Sequence, residues 1–481
     1  MHDFAHRTFE SALLALAACS LAGPLRAQDP VAPRFGDVDA IAVRALDARD
    51  PTTRGEAALW LADSGKLEHY QAILTTAEDK AAPARHRAIL AVGRLGAPGA
   101  EAFLGRILHD APPDAADAAL AAFALGALSD QVPTPAIDGL LERVQGGSRR
   151  RNLPLLTSLL GGLASREHPA RVTALRGLRD DEVNRDEVVP LLAQAALGRS
   201  GVPLDAPQRE RWLASDSARM RTAALETWLR DGKLPQEAKA RVSRLARTDR
   251  DATVRATALH ILAHHLDEGV LGLADRALHG RDAVEVGAAA RILLGLAGEA
   301  RRGEIEDLAR APSTSPAIRV ALLDALGRGV SGRTLMDCAE RTRDARVPTQ
   351  VRVASALLLA RAESALAEST LLDLFHTLAE PEAIAAIARE LHQSGQLPLA
   401  ATRLTTPDAA STPTALAAHV EGVARVDAVL GTELLLALVE AERLREASLG
   451  LGLGALRRAR VVAISPALLA LVPEAVAALS P

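Results

Sequence analysis

Few side chains in this sequence combine type and spacing in a way that fits chemistry. His264 and His265, with Asp267 two residues on, are of metal-ligand type. Adjacent residues on a helix point about 100° apart, however, so the pair serves one ion poorly and suits a solvated helix end better. Arg149-Arg150-Arg151, following Gly146-Gly147-Ser148, and Arg457-Arg458-x-Arg460 are dense basic runs of the kind that grip an anion. No stacking aromatics accompany the first run, and its plainer reading is an exposed loop leading into a charged helix start. Gly450-Leu-Gly-Leu-Gly454 lacks the preceding strand and the following Lys-Ser/Thr of a phosphate loop. It reads instead as a terminal helix that packs closely, or as an imperfect last repeat. G-x-S-x-G, H-E-x-x-H, C-x-x-C and C-x-x-C-H do not occur. No motif points to catalysis, although separated residues can still converge in space.

Any of these residues would have to be positioned by a helical element that recurs along the chain. In RDATVRATALHILAHHLDEG, residues 250–269, Asp251 stands at an N-cap. Val254, Ala258, Leu259 and Leu262 follow as one apolar stripe. Asp267 can cap a second helix, carrying Val270, Leu271, Leu273, Ala274, Ala277 and Leu278, which Gly280 ends. Together they make an αα-hairpin whose apolar flanks it cannot bury alone. With Arg255 as anchor, the pattern R-x-x-A/L-L returns at Arg221 and Arg319, and with the leucine one residue later at Arg54 (RGEAAL), Arg85 (RHRAIL) and Arg352 (RVASAL). Degenerate copies stand at Asp117, Arg151, Glu187, Gly287 and Ile384. Successive anchors lie 31, 32, 34, 36, 34, 34, 32, 32, 33 and 32 residues apart, and two further hairpins fall at 411–446 and 447–481. A period of this size with two helices in each period predicts an all-α fold, an α-solenoid of about twelve hairpins.

The pattern D-x-x-V-R-x-x-A-L, as Asp251 to Leu259, resembles the HEAT repeat in its short HEAT-like form. The resemblance covers about residues 37–400 well and the C-terminal hairpins weakly. It implies that an aspartate and an arginine help join neighbouring repeats, matched here by Asp50 with Arg54 and Asp251 with Arg255. Other copies offer Ser315-Pro316 or Pro348 in place of the aspartate. The composition fits close helix stacking: apolar residues make up 48% of the 481, aromatics only 2%, so the core is built of Ala, Leu and Val.

The N-terminus places an apolar run, ALLALAACSLAG, after a short polar start, too short to span a bilayer and suited to a secretory signal. Cleavage after Ala27 makes Gln28 the first mature residue; the alternative is a lipobox, Leu16-Ala17-Ala18-Cys19, with a lipid anchor on Cys19. The domains are then a signal peptide over 1–27, a HEAT-like array over 28–400 and degenerate or capping repeats over 401–481. The protein is read as exported, periplasmic or extracellular, with a lipoprotein as the alternative. No later segment is long and apolar enough for a membrane span. With 56 basic and 60 acidic residues the net charge is −4, which announces neither nucleic acid nor anionic lipid as a partner. Cys338 is left alone in the mature chain, so it has no intrachain disulfide partner.

The reading that follows is a monomeric scaffold that binds a protein partner along an extended surface, with no cofactor, no metal and no catalysis of its own. The alternative is an enzyme, or an enzyme's regulatory subunit, similar to the HEAT-like lyases. Four consecutive second helices carry an aspartate after apolar residues: Asp275, Asp307, Asp337 and Asp373. The resemblance implies that second helices line the concave surface, where these four would form an acidic column for a basic segment. Neighbouring helices about 8–10 Å apart are too distant for a shared metal ion. The region 180–211, an acidic turn followed by a lengthened connection, departs from the period and is a further place for recognition.

Overall fold

Several helices begin where the sequence offers caps, but Asp267 is not one of these caps. The helix from Val270 has Gly269 at its N-cap with no side-chain cap, and Asp267 Oδ1 accepts the Gly269 N–H at 2.9 Å in the turn before it. Asp50 accepts the Thr53 N–H at 2.7 Å, and Asp251 accepts those of Thr253 and Val254 at 2.9 and 3.2 Å. Asp282, Ser331, Thr412 and Asp427 act alike on the helices they precede. Each satisfies first-turn N–H groups that have no intrahelical partner.

The computed structural model describes residues 35–112, 115–128, 135–146, 149–165, 167, 171–180, 187–230, 234–406, 412–460, 470–473 and 476. Among them are 26 α-helices and no strand. The expected signal segment 1–27, with Cys19 and Ala27, and residues 181–186 of the 180–211 region lie outside the described residues. The first ten helices are α1 (Phe35–Ala45), α2 (Pro51–Asp63), α3 (Tyr70–Ala77), α4 (Ala82–Leu95), α5 (Ala100–Asp110), α6 (Ala116–Gly126), α7 (Pro135–Gly146), α8 (Arg149–Leu163), α9 (Val172–Asp180) and α10 (Val188–Arg199). Then come α11 (Ala206–Leu213), α12 (Ala218–Arg230), α13 (Gln236–Thr248), α14 (Ala252–His264), α15 (Val270–Leu278), α16 (Ala283–Ala297), α17 (Glu299–Arg310), α18 (Pro316–Ala325), α19 (Gly332–Arg343), α20 (Thr349–Arg361), α21 (Ala367–Phe375) and α22 (Pro381–Gln393). The last four are α23 (Leu397–Arg403), α24 (Pro413–Ala424), α25 (Ala428–Glu440) and α26 (Ala447–Arg460).

The chain divides into two compact units, one of residues 204–400 and one that joins residues up to 203 with those from 401 onward. In the first, the helices α12, α14, α16, α18, α20 and α22 stack in a row, and α13, α15, α17, α19 and α21 pack beside it. In the second, α2, α4, α6, α8 and α10 form the equivalent row, with α3, α5, α7 and α9 beside them. Each unit is therefore α-solenoid in construction. All eleven anchors fall at the N-cap or within the first five residues of a first helix of these rows. The buried seams are small: Ala57, Ala58, Ala88, Ala91, Ala118, Ala121 and Ala122 are fully enclosed, as are Ala258, Leu259, Ala289 and Ala290.

The Asp–Arg elements divide their work. Arg54 leaves Asp50 to its capping and reaches Asp79 of the next repeat, Nε to Oδ2 at 2.9 Å, while its Nη1 donates to the Ala48 carbonyl at 2.8 Å. Arg255 likewise passes over Asp251 to Glu285, 30 residues on, and donates to the Asp249 carbonyl. Arg85 with Asp117 and Arg221 with Asp249 repeat the arrangement. Asp79 and Asp249 are each shared between two anchors, one at the carboxylate and the next at the backbone carbonyl. The arginine thus ties repeats together and the aspartate four residues before it caps its own helix. Arg319 and Arg352 instead donate Nε to the carbonyls of Ala309 and Thr342 in the preceding second helix. Asp251→Ala should cost about 1 kcal/mol in urea unfolding. The loss should be the same in an Arg255→Ala background, because cap and tie share no partner. A coupling above about 0.5 kcal/mol would contradict this division.

The C-terminal helices stand on the first repeat. α26 packs between α24 and α2, so the first-helix row of this unit reads α24, α26, α2, α4, α6, α8, α10. The glycine run makes that approach possible. A Cβ on Gly450 would come within 2.6 Å of Thr53 Oγ1, and one on Gly454 within 2.9 Å of the Glu56 carboxyl. Glu56 receives Arg87 Nε at 2.8 Å and Arg457 Nε at 3.3 Å, the latter across 401 residues of sequence. On the far side of α26, Arg458 Nε donates to Glu421 at 2.9 Å, and Arg425 holds the other oxygen of that carboxylate. Glu56, Glu421 and Arg457 are all buried. Burial pushes the Glu56 carboxyl up, but Arg457 and Arg87 outweigh it and hold the group below the ordinary carboxylate value.

Candidate functional site

Three of the four second-helix aspartates are engaged by arginines of their own surroundings. Asp275 on α15 pairs with Arg301 of α17, and Asp307 pairs with Arg310 one turn along the same helix. Asp337 pairs with Arg341 at 2.8 Å, and Arg341 also reaches the carbonyls of Ala309 and Arg310 at 3.3 Å. The row is therefore of mixed sign along α15, α17 and α19. Asp373 on α21 differs: it is exposed and makes no ion pair among the described residues.

Asp373 lines a groove of about 210 Å³ between α19 and α21. Arg343 stands opposite it on the last turn of α19, the anchor Arg352 of α20 forms the floor, and Thr370, Leu374 and Thr377 continue the α21 wall. The other unit holds a groove in the same register, of about 330 Å³, between α3 and α5. There the anchor Arg85 of α4 is in the floor with Asp117 of α6, and Glu78 follows the last turn of α3. Phe103, Arg106, Ile107 and Asp110 stand where Thr370, Asp373, Leu374 and Thr377 stand, at the same distances from the anchor in sequence. The anchor spacing was legible in sequence and locates both floors. Neither the volume nor the sign of the charges on the rim follows from it.

In the larger groove, Asp117 accepts Arg85 Nε at 3.0 Å through Oδ2, and His86 Nε2 lies 2.9 Å from Oδ1. Burial lowers the His86 pKa, with Asp117 pulling the other way and Arg85 adding to the depression, so the imidazole is neutral at pH 7. Ile89 is fully buried beneath this groove and Phe103 nearly so, and the Arg106 guanidinium lies 5.5 Å from the Phe103 ring centroid. Arg106 and Glu78 approach to 3.9 Å across the mouth, both largely exposed. Asp110 is exposed and without an ion pair among the described residues.

The other sequence-level candidates take structural places. His264 and His265 meet edge to face at 4.9 Å between ring centroids, and burial lowers the His264 pKa. No cluster of three metal-capable side chains occurs among the described residues. His260, half-buried on α14 with Arg291 nearby, is lowered to about 4 by desolvation and is neutral at physiological pH. Arg149–Arg151 open α8, with side chains outside the described residues. Arg457 and Arg458 hold α26 in place, as above. Cys338 is buried and its thiol is pushed up to about 11, which leaves it unreactive. In the 180–211 region, Asp180 chelates Arg179 and residues 200–205 connect α10 to a capped α11. Among the described residues no helix is long and apolar enough to cross a membrane.

No family model and no curated protein matches this chain. Among solved structures, the chain is similar to an engineered protein at 18% identity, covering 88% of this chain and 97% of that one with a TM-score of 0.30. It is also similar to human deoxyhypusine hydroxylase in complex with glycerol, at 20% identity over 62% of this chain and 96% of that one, with a TM-score of 0.23. Scores this low carry no argument about the site.

Proposed function

We propose that this protein is an exported HEAT-like scaffold that binds a protein partner along its second-helix surface, without chemistry of its own. One observation carries the reading: a groove in the same register to the anchor arginine occurs in each unit, with different side chains on its rim. Reacting groups are wanted once, at one place. A groove repeated on a periodic framework and varied at its rim suits the recognition of an extended partner, pocket by pocket. Asp373 is the aspartate of the four that faces such a groove free of a neighbouring arginine's ion pair, so it is assigned to partner binding and Asp275, Asp307 and Asp337 to the fold of the surface.

Affinity capture from the extracytoplasmic fraction of the native host tests this. Asp373→Asn should weaken retention of the captured partner as much as the change of all four aspartates to asparagine. Equal retention by wild type and the fourfold variant, at low salt as well as high, would remove the second-helix surface from the interaction. Intact mass of the protein from its host should begin at Gln28; a lipidated Cys19 would place it on a membrane instead.

A further inference from the structure

Resting on that reading, we propose that the groove between α3 and α5 takes the cationic side chain of a lysine or arginine presented by an extended segment of the partner. Its floor joins apolar surface from Ile89, Phe103 and Ile107 to the Arg85–Asp117 pair, and its rim carries carboxylates at Glu78 and Asp110. The charges in the floor cancel, because Asp117 is engaged by Arg85, and His86 beside it is neutral. The rim then holds two carboxylates against the one guanidinium of Arg106. A long amphipathic cation matches this arrangement: its methylene stem covers apolar surface while its head stays at the wet edge among carboxylates. The aromatic face already accommodates such a head, since the Arg106 guanidinium lies over Phe103. Arg106 is largely exposed, so it can swing aside and release both the ring and Glu78 to an incoming cation. A volume of about 330 Å³ stands at the small end for ligand pockets, the scale of one side chain and not of an extended cofactor.

Fluorescence anisotropy with a short labelled peptide of alternating alanine and arginine tests the assignment. The wild-type protein should bind it at low salt, and Glu78→Gln with Asp110→Asn should weaken binding about tenfold. Both residues are exposed, so the melting temperature of the variant should stay that of the wild type. Arg106→Ala should tighten binding by removing the resident competitor. A photoreactive residue beside the peptide's arginine should cross-link to α5. Equal binding by the double variant, equal binding of a glutamate-for-arginine peptide, a cross-link confined to other helices, or no binding by the wild type would each overturn the proposal. The scaffold reading would survive any of these if Asp373→Asn still weakened partner capture.

Discussion

Replacing Glu56 with leucine should loosen α26 and α24 from the first repeat and cost about 3–5 kcal/mol, because it strands a buried guanidinium. Arg457 is buried, its only hydrogen bond among the described residues runs to Glu56, and its Nη1 has no partner. Arg457→Met should cost less, since Glu56 keeps Arg87 at 2.8 Å and Arg87 reaches solvent. The double variant Glu56→Leu/Arg457→Met should recover most of the stability lost by Glu56→Leu alone, since a well-filled apolar pair can replace a buried ion pair at little cost. Urea unfolding of the four proteins, with hydrogen exchange followed in α26, measures this. Losses that simply add would show that the two residues do not act on each other.

The same pair sets an acid limit on that contact. The Glu56 pKa is lower in the folded protein than in the unfolded chain, so the folded state binds its proton less readily. Its contribution is complete above the unfolded value of about 4.3 and is lost as pH falls through the folded value. Exchange protection of α26 should therefore hold from neutrality down to about pH 4.3 and fall below it. In the Glu56→Leu/Arg457→Met variant that acid-dependent loss should be absent.

The repeat was legible because helix periodicity, capping residues and the anchor arginine all speak locally, within one hairpin. Anchors as degenerate as Glu187 and Gly287 still mark helix starts, since spacing constrains them even where residue type does not. What each arginine holds was less legible. Asp50 and Asp251 lie four residues before their anchors, which suggests a pair, whereas a guanidinium that leaves the first turn sideways meets the next repeat at Asp79 or Glu285. The place of α26 was beyond local signals altogether. Gly450 and Gly454 announce close packing but not against which helix, and Arg457 reads as a surface cation until Glu56 is set beside it. The acidic column shows the same limit, for its four aspartates recur in sequence while Arg301, Arg310 and Arg341 neutralise three of them through turns and neighbours.

Leu259→Asp should be as damaging, at another place and with the opposite response to acid. Leu259 is fully enclosed on α14, which packs against α12 and α16 in its row and against α13 and α15 beside it. Truncation to alanine there should cost about 2–5 kcal/mol from lost burial and the cavity left behind. A carboxylate in the same space adds the penalty of an unpaired buried charge, which the group escapes only by holding its proton. Its folded pKa is then raised above the unfolded value of about 3.9. The extra cost of aspartate over alanine is therefore full only above the raised value and shrinks as pH falls from there towards about 3.9. Repeats are bound to their nearest neighbours, so unfolding should begin in the helices that touch α14 before it spreads further. Limited proteolysis of Leu259→Asp should open new sites between about residues 216 and 315, the repeats on either side of the substitution. A digestion pattern unchanged over that stretch would mean that the seam between α12, α14 and α16 does not carry the stability of this unit.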